Sequence, residues 1–86
     1  MQTIYKYPLE ITDRQSVWMP ARAKLLTVQM QHGVLCLWAE VDTMNPDEEI
    51  AIAVYGTGNP CAGGQYIGTA QDGPLVWHVY RVAKEA

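Results

Sequence analysis

The sequence predicts an all-β fold, a small antiparallel sandwich or partly open barrel of about six to seven short strands. Three observations carry this expectation. Apolar, β-branched and aromatic residues gather in short runs whose side chains alternate as a strand requires. Turn signals separate these runs at about 8–12 residues, the spacing of antiparallel all-β domains. No run shows a helical period: PARAKLL (20–26) offers one turn at most before β-branched residues resume.

Residues 3–11, TIYKYPLEI, send Tyr5, Tyr7, Leu9 and Ile11 to one side. Pro8 marks this as an edge strand, because proline has no N–H to give a ladder. TDR (12–14) is a turn, and SVWMP (16–20) is a short extended piece stopped by Pro20. ARA (21–23) is read as a tight turn that exposes Arg22. In KLLTVQM (24–30), Leu26, Val28 and Met30 are expected inside, with Thr27 and Gln29 outside. QHG (31–33) is a hairpin turn, with Gly33 supplying positive φ. VLCLWAEV (34–41) follows, then an acidic Asn-Pro loop at 42–49 and a strand at 49–56. GTGNPCAGG (56–64) is a wide glycine-rich loop. Strands at 65–71 and 75–82 flank DGP (72–74), a strong hairpin signal, and AKEA (83–86) is a polar tail.

Three of these strands, 34–41, 50–55 and 75–82, are apolar on both faces. A half-buried strand alternates apolar with polar, so something must cover the second face. Two explanations stand. The strands are central and their outer faces are covered by edge segments and loops, or a second copy of the chain covers them. An 86-residue chain buries only about 60–65% of its unfolded surface. Large exposed apolar patches are also rare on monomers. A homo-oligomer, most simply a two-fold dimer, is therefore expected, with Trp38, Trp77 and Tyr80 at the interface.

Composition narrows the chemistry. The chain is 49% hydrophobic, with three Trp, five Tyr and no Phe, too apolar for a disordered tail. Its aromatics suit surfaces where an apolar body meets a polar contact. A net charge of −3 argues against binding duplex nucleic acid. The N-terminal stretch lacks the charged and apolar regions of a signal peptide, and no apolar run approaches a membrane span. Cys36 and Cys61 are read as reduced thiols of a cytosolic protein.

No catalytic residue, metal site or cofactor is expected. His32, His78, Cys36 and Cys61 show no metal-ligand spacing. The acids at 42–49 lack a calcium-loop pattern. The ligand-binding candidates are Tyr55, at the base of the glycine-rich loop, with Thr57 and Asn59 in it, and Trp77 with Arg81 on one face of LVWHVYRV. An aromatic plate beside a guanidinium suits a nucleobase and a phosphate. Against this, the glycines also serve simply to allow a wide turn, and Arg81 also fits a solvated strand edge.

IYKYPLEITDRQ (4–15), LLTVQMQHGVLCLWAEVD (25–42) and VYGTGNP…YIGTAQDGPLVWHVY (54–80) resemble a family of small proteins of unknown function encoded by tailed bacteriophages. The resemblance runs over nearly the whole chain and brings no catalytic residues with it. It implies a life in the cytoplasm of the infected bacterial host. There, a small non-enzymatic accessory protein of this kind is expected to counter antiviral defence, sequestering a nucleotide signal or blocking a host defence protein. The alternative is an accessory protein of phage assembly or DNA replication.

Overall fold

The alternating runs form two sheets in the computed structural model, which describes residues 1–84. The last two residues of the polar tail expected at 83–86 lie outside the described residues. The strands are β1 (Gln2–Pro8), β2 (Gln15–Pro20), β3 (Lys24–Gln31), β4 (Val34–Asp42), β5 (Asp47–Gly56), β6 (Gln65–Asp72) and β7 (Leu75–Val82). One sheet has the order β1-β4-β3 and the other β2-β5-β7-β6, and every pairing is antiparallel. The sheets do not close on each other, so of the two expected architectures the chain adopts the sandwich. They come closest where β6 passes β3: a Cβ on Gly68 would sit 3.0 Å from Val28 Cγ2 and 3.3 Å from its backbone nitrogen.

Strand parity builds the core. Leu35, Leu37, Ala39 and Val41 of β4 face Ile50, Ile52 and Val54 of β5 and Val79 of β7, joined by Met19, Val28 and Ala70. Pro8 lies in an edge strand as its missing N–H demands, and the ladder resumes after it with Leu9 N–H donating to Leu35 O at 2.8 Å. The β3–β4 hairpin turns on His32 and Gly33, at φ 51° and 78°. Two left-handed residues match the right-handed twist of the flanking strands. At the other hairpin, Gly73 has φ 58° and is followed by Pro74. Arg22, also left-handed at φ 63°, is exposed as expected.

Three expectations change. β1 ends at Pro8 rather than 11, so Ile11 is exposed, and Tyr5 is exposed on the edge strand. A bulge between Leu25 and Thr27 inserts a residue into β3. The parity shifts there: Leu25 packs against the core and Leu26, expected inside, is exposed. The acidic run expected as a loop begins β5 instead, because Asp47, Glu48 and Glu49 pair with Pro20, Met19 and Trp18 of β2. Asp42 closes β4, accepting from Met44 N–H at 3.0 Å and from the Met1 amine at 3.2 Å. The Met44 bond first, then the amine, holds its carboxyl below the usual range.

The second faces are filled largely from within the chain. On β4, Lys6 reaches across the strand to donate to Gln31 Oε1 at 2.7 Å. Lys6 stands opposite Trp38 and Gln31 opposite Val34, so this bridge passes over Cys36, which is only 2% exposed. On β5 the outward residues Ala51 and Ala53 are small and buried beside their neighbours. On β7, Tyr80 lies between two other tyrosines. Trp18 of β2 is the main remainder, 60% exposed.

Candidate functional site

The outer face of the four-stranded sheet gathers the polar and aromatic groups. Ile52 and Val54 point into the core, so Ala51, Ala53 and Tyr55 point out. Val79 points in, so His78 and Tyr80 point out. Cross-strand register sets Tyr80 opposite Ala53 and Tyr66, and His78 opposite Tyr55 and Thr69. A bulge between Tyr66 and Gly68 absorbs one residue, bringing Tyr66 and Thr69 to the same face although three apart in sequence.

The side chains interlock on this face. The Tyr80 ring meets Tyr55 at 5.7 Å and Tyr66 at 5.5 Å between centroids, both edge-to-face, an arrangement favoured by the ring quadrupoles. The His78 ring is held at both nitrogens, with Nε2 2.7 Å from Thr57 Oγ1 and Nδ1 3.1 Å from Thr69 Oγ1. Thr69 Oγ1 also shares a hydrogen bond with the Tyr66 hydroxyl at 2.5 Å. Hydroxyls donate or accept, so this chain serves either tautomer of a neutral His78.

The glycine-rich loop overhangs one end of the face. It is tied down by Thr57 N–H donating to Val76 O at 3.3 Å and by an Asn59–Gly56 turn bond at 3.0 Å. Gly56 lies close under two side chains: a Cβ there would meet Asn59 Nδ2 at 2.9 Å and Trp77 Cζ3 at 3.2 Å, so both would have to shift. Below the loop is a hollow of about 230 Å³, lined by Tyr55, Thr57, Asn59, Cys61, His78 and Tyr80.

Of the residues singled out from sequence, Tyr55, Thr57 and Asn59 therefore come together. Arg81 does not join them and Trp77 reaches them only by its edge, because both share parity with Val79 and lie on the inner side of β7. Trp77 packs against the core and donates from Nε1 to Asp72 Oδ2 at 3.4 Å. Its edge also shows in a separate hollow at the strand ends, beside Thr57 and Asn59. The three expected interface residues occupy three different faces: Trp38 outside the β1-β4-β3 sheet, Trp77 between the sheets, and Tyr80 outside the β2-β5-β7-β6 sheet. No single interface spans them.

His78, Thr69 and Tyr66 are site residues that the sequence does not announce. His78 and Tyr80 share a parity that is legible in LVWHVYRV, but the bulge that adds Tyr66 and Thr69 leaves no sequence signal. Among the described residues, no group of three or more His, Cys, Asp or Glu is placed to hold a metal ion.

A family model described as a domain of unknown function, DUF7352, matches residues 1–86. No curated protein and no solved structure matches the chain.

Proposed function

The chain belongs to the DUF7352 family, and since that family carries no assigned function we propose one from the site: a non-enzymatic binding protein that seats the planar ring of a small molecule on the Tyr55–Tyr80–Tyr66 face. The tyrosine trio, braced by His78 and roofed by the glycine-rich loop, is the observation that supports this reading. Aromatic platforms hold rings by stacking, at about 1–3 kcal/mol per base. Thr57 and His78 do stand at nucleophile–base distance. However, the group that orients His78 is the Thr69 hydroxyl rather than a carboxylate, which leaves a developing imidazolium without a charge partner.

The finer proposal is a bacteriophage protein of the infected bacterial cytoplasm that sequesters a nucleotide signal of host defence. Supporting it are the three phage-like segments and a site suited to a nucleobase. Blocking a host defence protein through the same face is the second reading, favoured by the exposure of Trp18 and Tyr66 there. A role in phage assembly or DNA replication would use that surface too, and co-purification from infected cells separates the two by the origin of the partners.

Thermal denaturation against cyclic di- and trinucleotides and cyclic ADP-ribose isomers tests the reading. A ligand at a hundredfold excess over its Kd stabilises by about 2.7 kcal/mol, which raises Tm by roughly 10–20 °C in a domain this small. Tyr80→Ala is expected to weaken that ligand by about ten- to a hundredfold, and Trp38→Ala to leave it unchanged. No shift with any compound leaves only the protein-target reading.

We also propose that copies of the chain associate, through the exposed Trp18. Light scattering is expected to give at least twice the monomer mass at high micromolar concentration. A monomer there overturns the proposal.

A further inference from the structure

Asn45 and Asn59, the chain's two asparagines, each precede a proline and close a turn in the same way. Asn45 N–H donates to Asp42 O and Asn59 N–H to Gly56 O, both at 3.0 Å. Their carboxamides then differ. Asn45 Nδ2 donates to Ala21 O at 2.9 Å and ties the β2–β3 turn to the loop before β5. The Asn59 carboxamide has no such partner among the described residues.

It is nonetheless held in place. Gly58, third in the Gly56–Asn59 turn, has φ 89°, a conformation that certain turns demand at this position and that glycine supplies. The amide nitrogen folds back over Gly56, where a Cβ would lie 2.9 Å from it. There the side chain borders three hollows at once. One is the hollow over Tyr55, His78 and Tyr80. A larger one, of about 540 Å³, shares Tyr55 and runs toward Pro60. The third, of about 380 Å³, lies beside Trp77.

We infer that Asn59 reads the edge of the ring that lies on Tyr55 and Tyr80, so that the site selects heterocyclic bases with a hydrogen-bond donor and acceptor side by side. This rests on the ring-binding reading above and adds the class of ring. A carboxamide sets an N–H donor beside a carbonyl acceptor, and turning the amide over matches either order on the ligand. Such pairing is bidentate, as asparagine makes with the amino group and adjoining ring nitrogen of adenine. Stacking alone is nearly indifferent to the base it holds, because every base has a π-face. The tyrosines therefore supply affinity and Asn59 the choice among rings. Thr57, Thr69, Tyr66 and His78 hydrogen-bond one another, whereas Asn59 keeps both donor and acceptor for a ligand.

NMR titrations test this with adenosine, with purine riboside, which lacks the amino group of adenosine, and with guanosine. The proteins are wild type, Asn59→Ala and Asn59→Asp, the spectra confirming that each variant is folded. Wild type is expected to bind adenosine about tenfold more tightly than purine riboside, and Asn59→Ala to bind the two alike. Asn59→Asp replaces the amide with a group that only accepts. Guanosine, with two N–H donors side by side, should overtake adenosine there. An Asn59 that only shaped the loop would weaken all three probes by one factor in both variants, and that result overturns the inference. Equal binding of adenosine and purine riboside to wild type also overturns it and leaves the ring-binding reading standing. Binding of none of the three overturns the inference together with the ring-binding reading for purines.

Discussion

Ile52→Ala is expected to lower the unfolding free energy by about 3 kcal/mol and Tm by roughly 12–24 °C. Ile52 is completely buried on the inner face of β5. That strand is held on both sides, with Ile52 opposite Gln15 of β2 and Arg81 of β7. Two ladders fix the backbone, so the cavity left by the lost side-chain atoms collapses only in part, and a cavity cost adds to the lost transfer free energy. Stability in small domains runs at about 0.05–0.15 kcal/mol per residue, so the loss removes a large part of what an 86-residue chain has. Ile52→Val keeps the branch and is expected to cost only about 0.5–1.5 kcal/mol. Urea denaturation of the two variants measures both. A loss under about 1 kcal/mol for alanine would show that the sheets settle onto the gap and that the core is far softer than its burial implies.

The same alternation that makes Ile52 inward makes Ala53 and Tyr55 outward, and this is the part of the fold that the sequence displays. Leu35, Leu37, Ala39 and Val41 announce their shared face by spacing alone, and the turns at Gly33 and Gly73 announce the two hairpins. Where both faces are apolar, parity groups residues but does not say which group is inside. Trp77 and Arg81 are rightly paired by spacing, yet their face is decided by Val79 meeting Ile52 and Val54, a contact between strands distant in sequence. The bulges at Leu26 and Ile67 are equally silent, because any residue fits an inserted position, and one of them builds half of the Tyr66–Thr69–His78 chain. The second faces also resist a reading by hydrophobicity. Ala53 and Cys36 count as apolar surface in need of a partner, but one is small enough to sit beneath the tyrosines and the other is bridged by Lys6 and Gln31. The excess apolar surface is smaller than composition suggests, and it concentrates at positions such as Trp18.

Gly64→Ala is expected to destabilise by about 2–4 kcal/mol and to release the end of the glycine-rich loop from β7. Two effects combine at this position. Its φ of +125° suits glycine and strains an L side chain. A Cβ there would also lie 2.6 Å from Arg81 O and 3.0 Å from Val82 Cγ1, and a strand carbonyl already held in a ladder cannot swing aside. Gly63→Ala separates the two: its φ is +83°, but nothing lies within 4 Å of the added Cβ, so only backbone strain of about 1–2 kcal/mol remains. The difference between the variants in urea denaturation therefore isolates the seating of the loop on β7. It should be at least about 1 kcal/mol, with faster amide exchange at Gln65 and Tyr66 in Gly64→Ala alone. Equal losses would mean that the loop end is not seated on β7 in solution, and the hollow over Tyr55 and His78 would lose the anchor that holds its roof in place.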